Sequence, residues 1–130
     1  MIGMNAVVVD ASAIAAVLFD EPEGGPVRAS VSGRLLAPGL LRYELTNVCL
    51  AKIRRFPGRA GEIEARHALV DALDLHLYDP QWQELPRLAQ RWSLSVCDAA
   101  YLQLALRSRA PLITLDAGLA RACDAALGGR

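Results

Sequence analysis

Four acidic residues stand where carboxylates can do chemistry: Asp10, Glu44, Asp98 and Asp116. Asp10 ends the run Ala6-Val7-Val8-Val9, and Asp116 ends Leu112-Ile113-Thr114-Leu115; each is followed by a small residue and a helix-forming stretch. A carboxylate at the C-terminal tip of a buried parallel strand points into the crevice where open α/β sheets bind ligands. If the two strands lie side by side at the sheet centre, both carboxylates emerge at one place, and Glu44 and Asp98 can complete the group from nearby helices. Like charges gathered there repel and raise one another's pKa. A hard divalent cation resolves that conflict, because carboxylates and waters are the ligands that Mg²⁺ and Mn²⁺ favour. Such an ion stabilises charge developing on a phosphate and helps to generate hydroxide. Phosphodiester hydrolysis is therefore the reaction this set suits. No Ser-His-Asp or Cys-His arrangement competes with it, and His67 has no second His or Cys at metal-ligand spacing.

The elements that must position these groups follow from the pattern. Three consecutive valines predict a short strand buried on both faces. Leu35-Leu36-Ala37 predicts a second strand, Asp74 to Tyr78 a half-buried third, and Leu112 to Leu115 another short buried one. Helices are predicted from Ala13 to Phe19, Val27 to Ser32, Leu40 to Arg55, Gly61 to Ala72, Gln81 to Trp92, Ser95 to Leu106 and Leu119 to Leu127. In the third of these, Leu41, Leu45, Val48 and Cys49 form the apolar stripe, and Glu44 lies on the same face with Asn47 one turn on as an amide that can orient it. Cys97, Ala100, Tyr101, Leu104 and Ala105 are the expected core face of the sixth. Trp82 and Trp92 are expected as core anchors, and Pro86 must sit in a first turn or make a kink. Strands alternating with helices predict a three-layer α/β fold with a mainly parallel sheet.

At 130 residues the chain is expected to form one domain, 1–130. No apolar run is long enough to cross a bilayer, and no cationic segment followed by an apolar block opens the sequence. Three cysteines, far apart and without a CxxC pair, fit reduced thiols in the cytoplasm. Fourteen basic residues balance fourteen acidic ones, so no global charge steers the chain to nucleic acid. The balance is local, however: Lys52, Arg54, Arg55, Arg59 and Arg66 crowd one segment, opposed there by Glu62 and Glu64. That segment is either a solvated helix end or a grip on a phosphate backbone, with Arg54, Arg55 and Arg59 as contacts and a steep salt dependence as its signature.

Val8-Val9-Asp10-Ala11-Ser12, Tyr43-Glu44-Leu45-Thr46-Asn47, Cys97-Asp98-Ala99-Ala100-Tyr101-Leu102 and Leu112-Ile113-Thr114-Leu115-Asp116 resemble the four signature segments of PIN domains. Length and segment order match the toxin branch, the VapC-type ribonucleases of type II toxin–antitoxin systems, and the resemblance covers nearly the whole chain. It implies a PIN-like α/β/α fold with four or five short strands. It implies that Asp10, Glu44, Asp98 and Asp116 form an Mg²⁺ or Mn²⁺ site, with Ser12 a hydroxyl contact beside it and Asn47 and Thr114 in support. It also implies endoribonuclease action on structured RNA, a homodimer, and a hetero-oligomer with a small VapB-like antitoxin whose tail covers the active site. Two features depart from the pattern. The sequence stops soon after the helix following Asp116, so the last edge strand is expected to be short or missing, and Pro86 interrupts a helix that usually runs unbroken.

Blander readings remain open at this stage. Asp10 or Ser12 can simply cap the following helix, Asp98 can serve the dipole of its own helix, and Glu44 can lie at an exposed margin. A phosphoacceptor domain would need an acidic residue beside Asp10, where Ala11 stands, and a late strand-end lysine, whereas the only lysine is Lys52. A dehalogenase-type phosphatase would need Asp at position 12, which is Ser. The rival of a different class is a catalytically silent PIN-fold module that binds a partner helix in the acidic groove. An idle cluster of acids in such a module would only destabilise it.

Overall fold

The valine run forms strand β1, Ala6–Val9, buried along its whole length. In the computed structural model, which describes residues 6–30 and 33–128, three further strands join it. These are β2 (Arg34–Pro38), β3 (Leu75–Tyr78) and β4 (Leu112–Ile113). The sheet order is β3-β2-β1-β4, and every neighbouring pair is parallel. Among the described residues seven α-helices surround it: α1 (Ala11–Leu18), α2 (Gly24–Ser30), α3 (Leu40–Arg55), α4 (Ala60–Ala68), α5 (Leu85–Trp92), α6 (Val96–Ser108) and α7 (Ala117–Gly128). None is long and apolar enough to cross a membrane.

Side chains alternate between the faces of a strand, and β1 divides accordingly. Ala6 and Val8 pack with Leu36, Tyr101, Leu102 and Leu119, the layer of α6 and α7. Val7 and Val9 pack with Ile14, Leu18, Leu35 and Leu45, the layer of α1 and α3. This is the expected three-layer α/β/α arrangement, built on four strands. Because β1 hands the chain to β2 on one side while β4 returns on the other, the strand order reverses between β1 and β4. That crevice is the topological switch point, where open sheets bind ligands.

Several local expectations are corrected. The strand expected over Leu112 to Leu115 is only two residues long, half-buried and at the sheet edge rather than its centre; Thr114 and Leu115 leave the ladder because side chains of the β1 end capture them, as described below. The second helix starts at Gly24, not Val27, with Pro26 in its first turn, where a missing N–H is harmless; residues 31 and 32 lie outside the described residues. The helix expected over Gly61 to Ala72 ends at Ala68 and tightens into a 3₁₀ turn, Leu69–Ala72, which buries Val70. Pro86 sits in the first turn of α5, after a separate 3₁₀ turn Trp82–Glu84. That break turns Trp82 outward: it is 61% exposed, not a core anchor, whereas Trp92 packs against the core. Cys97 is also exposed, since α6 is buried on the sides of Ala99 to Gln103 by the sheet and α5. The final helix begins two residues earlier than Leu119.

Close packing of α2 on α1 depends on one missing side chain. A Cβ at Gly24 would lie 2.4 Å from the backbone oxygen of Ala16. Gly24→Ala is therefore expected to cost about 1–3 kcal/mol by forcing the two helices apart, seen as a lowered thermal midpoint by circular dichroism.

Candidate active site

Asp10 is the residue at which β1 becomes α1. Its carboxylate is 6% exposed. Oδ1 accepts from the Ala13 N–H at 3.0 Å and from the Ser12 hydroxyl at 2.7 Å, and Oδ2 accepts from the Thr114 hydroxyl. The cap does not exclude a site role for Asp10, because it takes only one of the carboxylate's acceptor positions. It offers about four acceptor positions, so roughly one is left over after these three donors.

The same hydroxyls bind the end of β4 to the end of β1. Leu115 N–H donates to Ser12 Oγ and Asp116 N–H to Thr114 Oγ1, each at 3.0 Å. Asp116 then caps α7 through Leu119 N–H, which reaches its Oδ1 at 2.8 Å. Asp98 lies in the first turn of α6, its N–H held at 3.0 Å by the Ser95 hydroxyl. Glu44, half-buried on α3, receives the Tyr101 hydroxyl on Oε1 at 2.7 Å.

The electrostatics tie the four together. Burial is the main force raising the Glu44 pKa; the Tyr101 hydrogen bond opposes it, and the charges of Asp10 and Asp98 add to it. Burial likewise leads in raising Asp98, followed by Asp116 and Asp10, with the Ser95 bond opposing. Among the described residues the ion pairs join Arg42 to Asp71, Lys52 to Glu21, Arg59 and Arg66 to Glu62, His76 to Asp74, and Arg107 to Glu84. None reaches Asp10, Glu44, Asp98 or Asp116. The side chains ring the edge more widely than direct ligation of one ion by three of them requires, and no such three-residue cage stands among the described residues. Mg²⁺ commonly takes one or two carboxylates and keeps several waters. An all-oxygen donor set outside the ion pairs of the described residues fits that habit.

Not every expected residue joins the group. Asn47 is exposed and makes no hydrogen bond to Glu44; the partner that orients Glu44 is Tyr101. Arg54 and Arg55 are exposed at the far end of α3, about 16 Å along the helix from Glu44 at 1.5 Å per residue. Arg59 is engaged twice by Glu62, at 2.9 and 3.2 Å, and flanks the ring of Phe56. Two further residues at the site carry signals in the sequence that point to no role there by themselves. Ser95 stands three residues before Asp98, a helix-start signature, and a buried tyrosine needs a partner for its hydroxyl.

Three comparisons bear on this arrangement. The PIN domain family model matches residues 7–125. Ribonuclease VapC3 of Pyrobaculum aerophilum is 36% identical over 121 residues, covering 87% of this chain and 91% of its own. The crystal structure of PAE2754 from Pyrobaculum aerophilum superposes with a TM-score of 0.70 at 24% identity, covering 95% of this chain and 96% of that one, which speaks to the fold. With a family match over nearly its whole length and a curated relative of this closeness, the chain belongs to the PIN-domain family.

Proposed function

We propose that this chain is a divalent-metal-dependent endoribonuclease and the toxin of a toxin–antitoxin pair. The observation that carries the reading is the gathering of Asp10, Glu44, Asp98 and Asp116 at the β1–β4 switch point, with none of them in an ion pair among the described residues. A relative named as a VapC ribonuclease supports RNA as the substrate and an antitoxin as the partner.

Asp10, Glu44, Asp98 and Asp116 would hold Mg²⁺ or Mn²⁺, which when bound supplies positive charge against the phosphate and lowers the pKa of water. The chain's own groups do the remainder. Asp10, pinned by Ser12, Ala13 and Thr114, offers one unspent acceptor position in fixed orientation. Glu44 and Asp98, electrostatically linked to Asp10 at the same edge, would orient the attacking water beside the ion. Attack on phosphorus breaks one P–O bond and leaves one phosphate-bearing end and one hydroxyl end.

Arg54 and Arg55, exposed and outside any ion pair among the described residues, are the proposed backbone contacts; Arg59 must first exchange its bond to Glu62. Replacing Arg54 and Arg55 with Ala is expected to flatten the salt dependence of RNA binding. The log–log slope should fall by about 0.7 for each phosphate of a single strand that is no longer neutralised. Filter binding across a salt series measures this, and an unchanged slope removes those arginines from the interface. The same reading has residues 1–130 acting as one domain in the cytoplasm, as a homodimer and in a complex with a small antitoxin. Tyr43, 79% exposed, and Trp82 supply apolar surface that a partner would cover.

The test is incubation of the purified chain with total RNA in Mg²⁺, Mn²⁺ or EDTA, with new ends mapped by sequencing. Cleavage at recurrent sites with metal and none with EDTA is expected. Cleavage undiminished by EDTA, or none under any condition from antitoxin-free protein, overturns the proposal. A silent module predicts the latter.

A further inference from the structure

Tyr101, on α6, is the largest fully buried side chain among the described residues, 1% exposed, with its ring in the core layer between that helix and the sheet. Packing alone does not require its hydroxyl. That oxygen nevertheless spans three elements: it donates to Glu44 Oε1 on α3 at 2.7 Å and stands against the backbone N–H of Ala11, the residue after Asp10. Among the described residues this is the only hydrogen bond made to the Glu44 side chain. Glu44 has three rotatable bonds and a partly desolvated carboxylate, and α3 offers it no other anchor.

Resting on the proposed metal-dependent function, we infer that Tyr101 is a positioning residue: its phenol fixes the Glu44 carboxylate relative to the Asp10 end of β1 and so sets how tightly the site takes a divalent ion. The hydroxyl reaches only one oxygen of Glu44, so Oε2 stays available to a ligand. The phenol is itself anchored by the core on all sides of its ring, so it transmits the rigidity of the sheet to a side chain that otherwise samples several rotamers. Partners that orient metal-binding groups in this way typically change metal affinity 10–100-fold when removed.

The experiment compares wild type, Tyr101→Phe, Glu44→Gln, and the double variant, reading Mn²⁺ affinity by calorimetry without RNA and cleavage as a function of Mn²⁺. Val70→Ala, in the other core layer, serves as a control that lowers stability without touching the site. Tyr101→Phe is expected to weaken Mn²⁺ binding about 10-fold, with cleavage largely restored at saturating Mn²⁺ and the KM for RNA unchanged. Adding Tyr101→Phe to Glu44→Gln is expected to change affinity no further, because the two act through one contact. A metal-free readout accompanies these: a slowly exchanging phenolic proton in the NMR spectrum, absent in Tyr101→Phe and shifted in Glu44→Gln. Tyr101→Phe binding Mn²⁺ as wild type does, or losing affinity no more than Val70→Ala at equal stability, overturns the inference alone. Wild-type protein that neither binds Mn²⁺ nor cleaves RNA overturns the function and this inference with it.

Discussion

Asp10→Asn is expected to reduce RNA cleavage by about 10³-fold or more while leaving the thermal midpoint close to wild type. The magnitude follows from removing a charge worth several kcal/mol at the transition state. The preserved fold follows from the hydrogen bonds. An amide oxygen still accepts from Ala13 N–H and Ser12, and Thr114 can accept from the new NH₂ in place of donating. Asp10→Ala is a poorer probe, because it also deletes the α1 cap, about 1 kcal/mol, and leaves two hydroxyls without their acceptor. Cleavage time courses beside circular dichroism melts separate the two effects. Activity retained in Asp10→Asn refutes the assigned role.

Asp98→Asn is expected to move activity and stability in opposite directions. Its pKa is raised in the folded protein by burial and by Asp116 and Asp10. A raised carboxylate pKa means that the folded state holds the proton more firmly than the unfolded one. The native state is therefore burdened above the folded pKa, and the burden disappears as pH falls below the unfolded value, roughly 4. In chelator at neutral pH, Asp98→Asn should melt a few degrees higher, a gain on the order of 1 kcal/mol or less because the group is partly solvated. The advantage should shrink toward pH 4, and cleavage should fall by about 10²-fold or more. Melts across pH beside cleavage assays measure both; a lower midpoint for the variant at neutral pH contradicts the repulsive cluster.

Much of this arrangement is legible in residue order. Three valines before Asp10 specify a doubly buried strand, and the stripe from Leu41 to Cys49 with a stop at Pro57-Gly58 specifies α3. What escapes is set by contacts between distant segments. Leu112 to Leu115 has the composition of a four-residue strand, yet Ser12 and Thr114 pull its second half out of the ladder. Trp82 has the volume of a core residue, but a 3₁₀ turn ahead of Pro86 rotates it outward, where its indole N–H meets Asp79 at 3.4 Å. Tyr101 is legible as core from its spacing. That its hydroxyl meets Glu44, 57 positions away, depends on how α6 crosses the sheet.

Helices α1, α6 and α7 all begin at the edge that carries the acids, with Asp10 and Asp116 as caps and Asp98 in a first turn. Each contributes the positive end of its dipole, worth a few tenths to about 1 kcal/mol toward a nearby anion. The scaffold thus offsets part of the carboxylate repulsion by backbone alone, before any ion arrives. Folding and ion uptake become separable events: protein stripped by chelator should stay folded and regain cleavage on adding Mn²⁺, with no refolding step between.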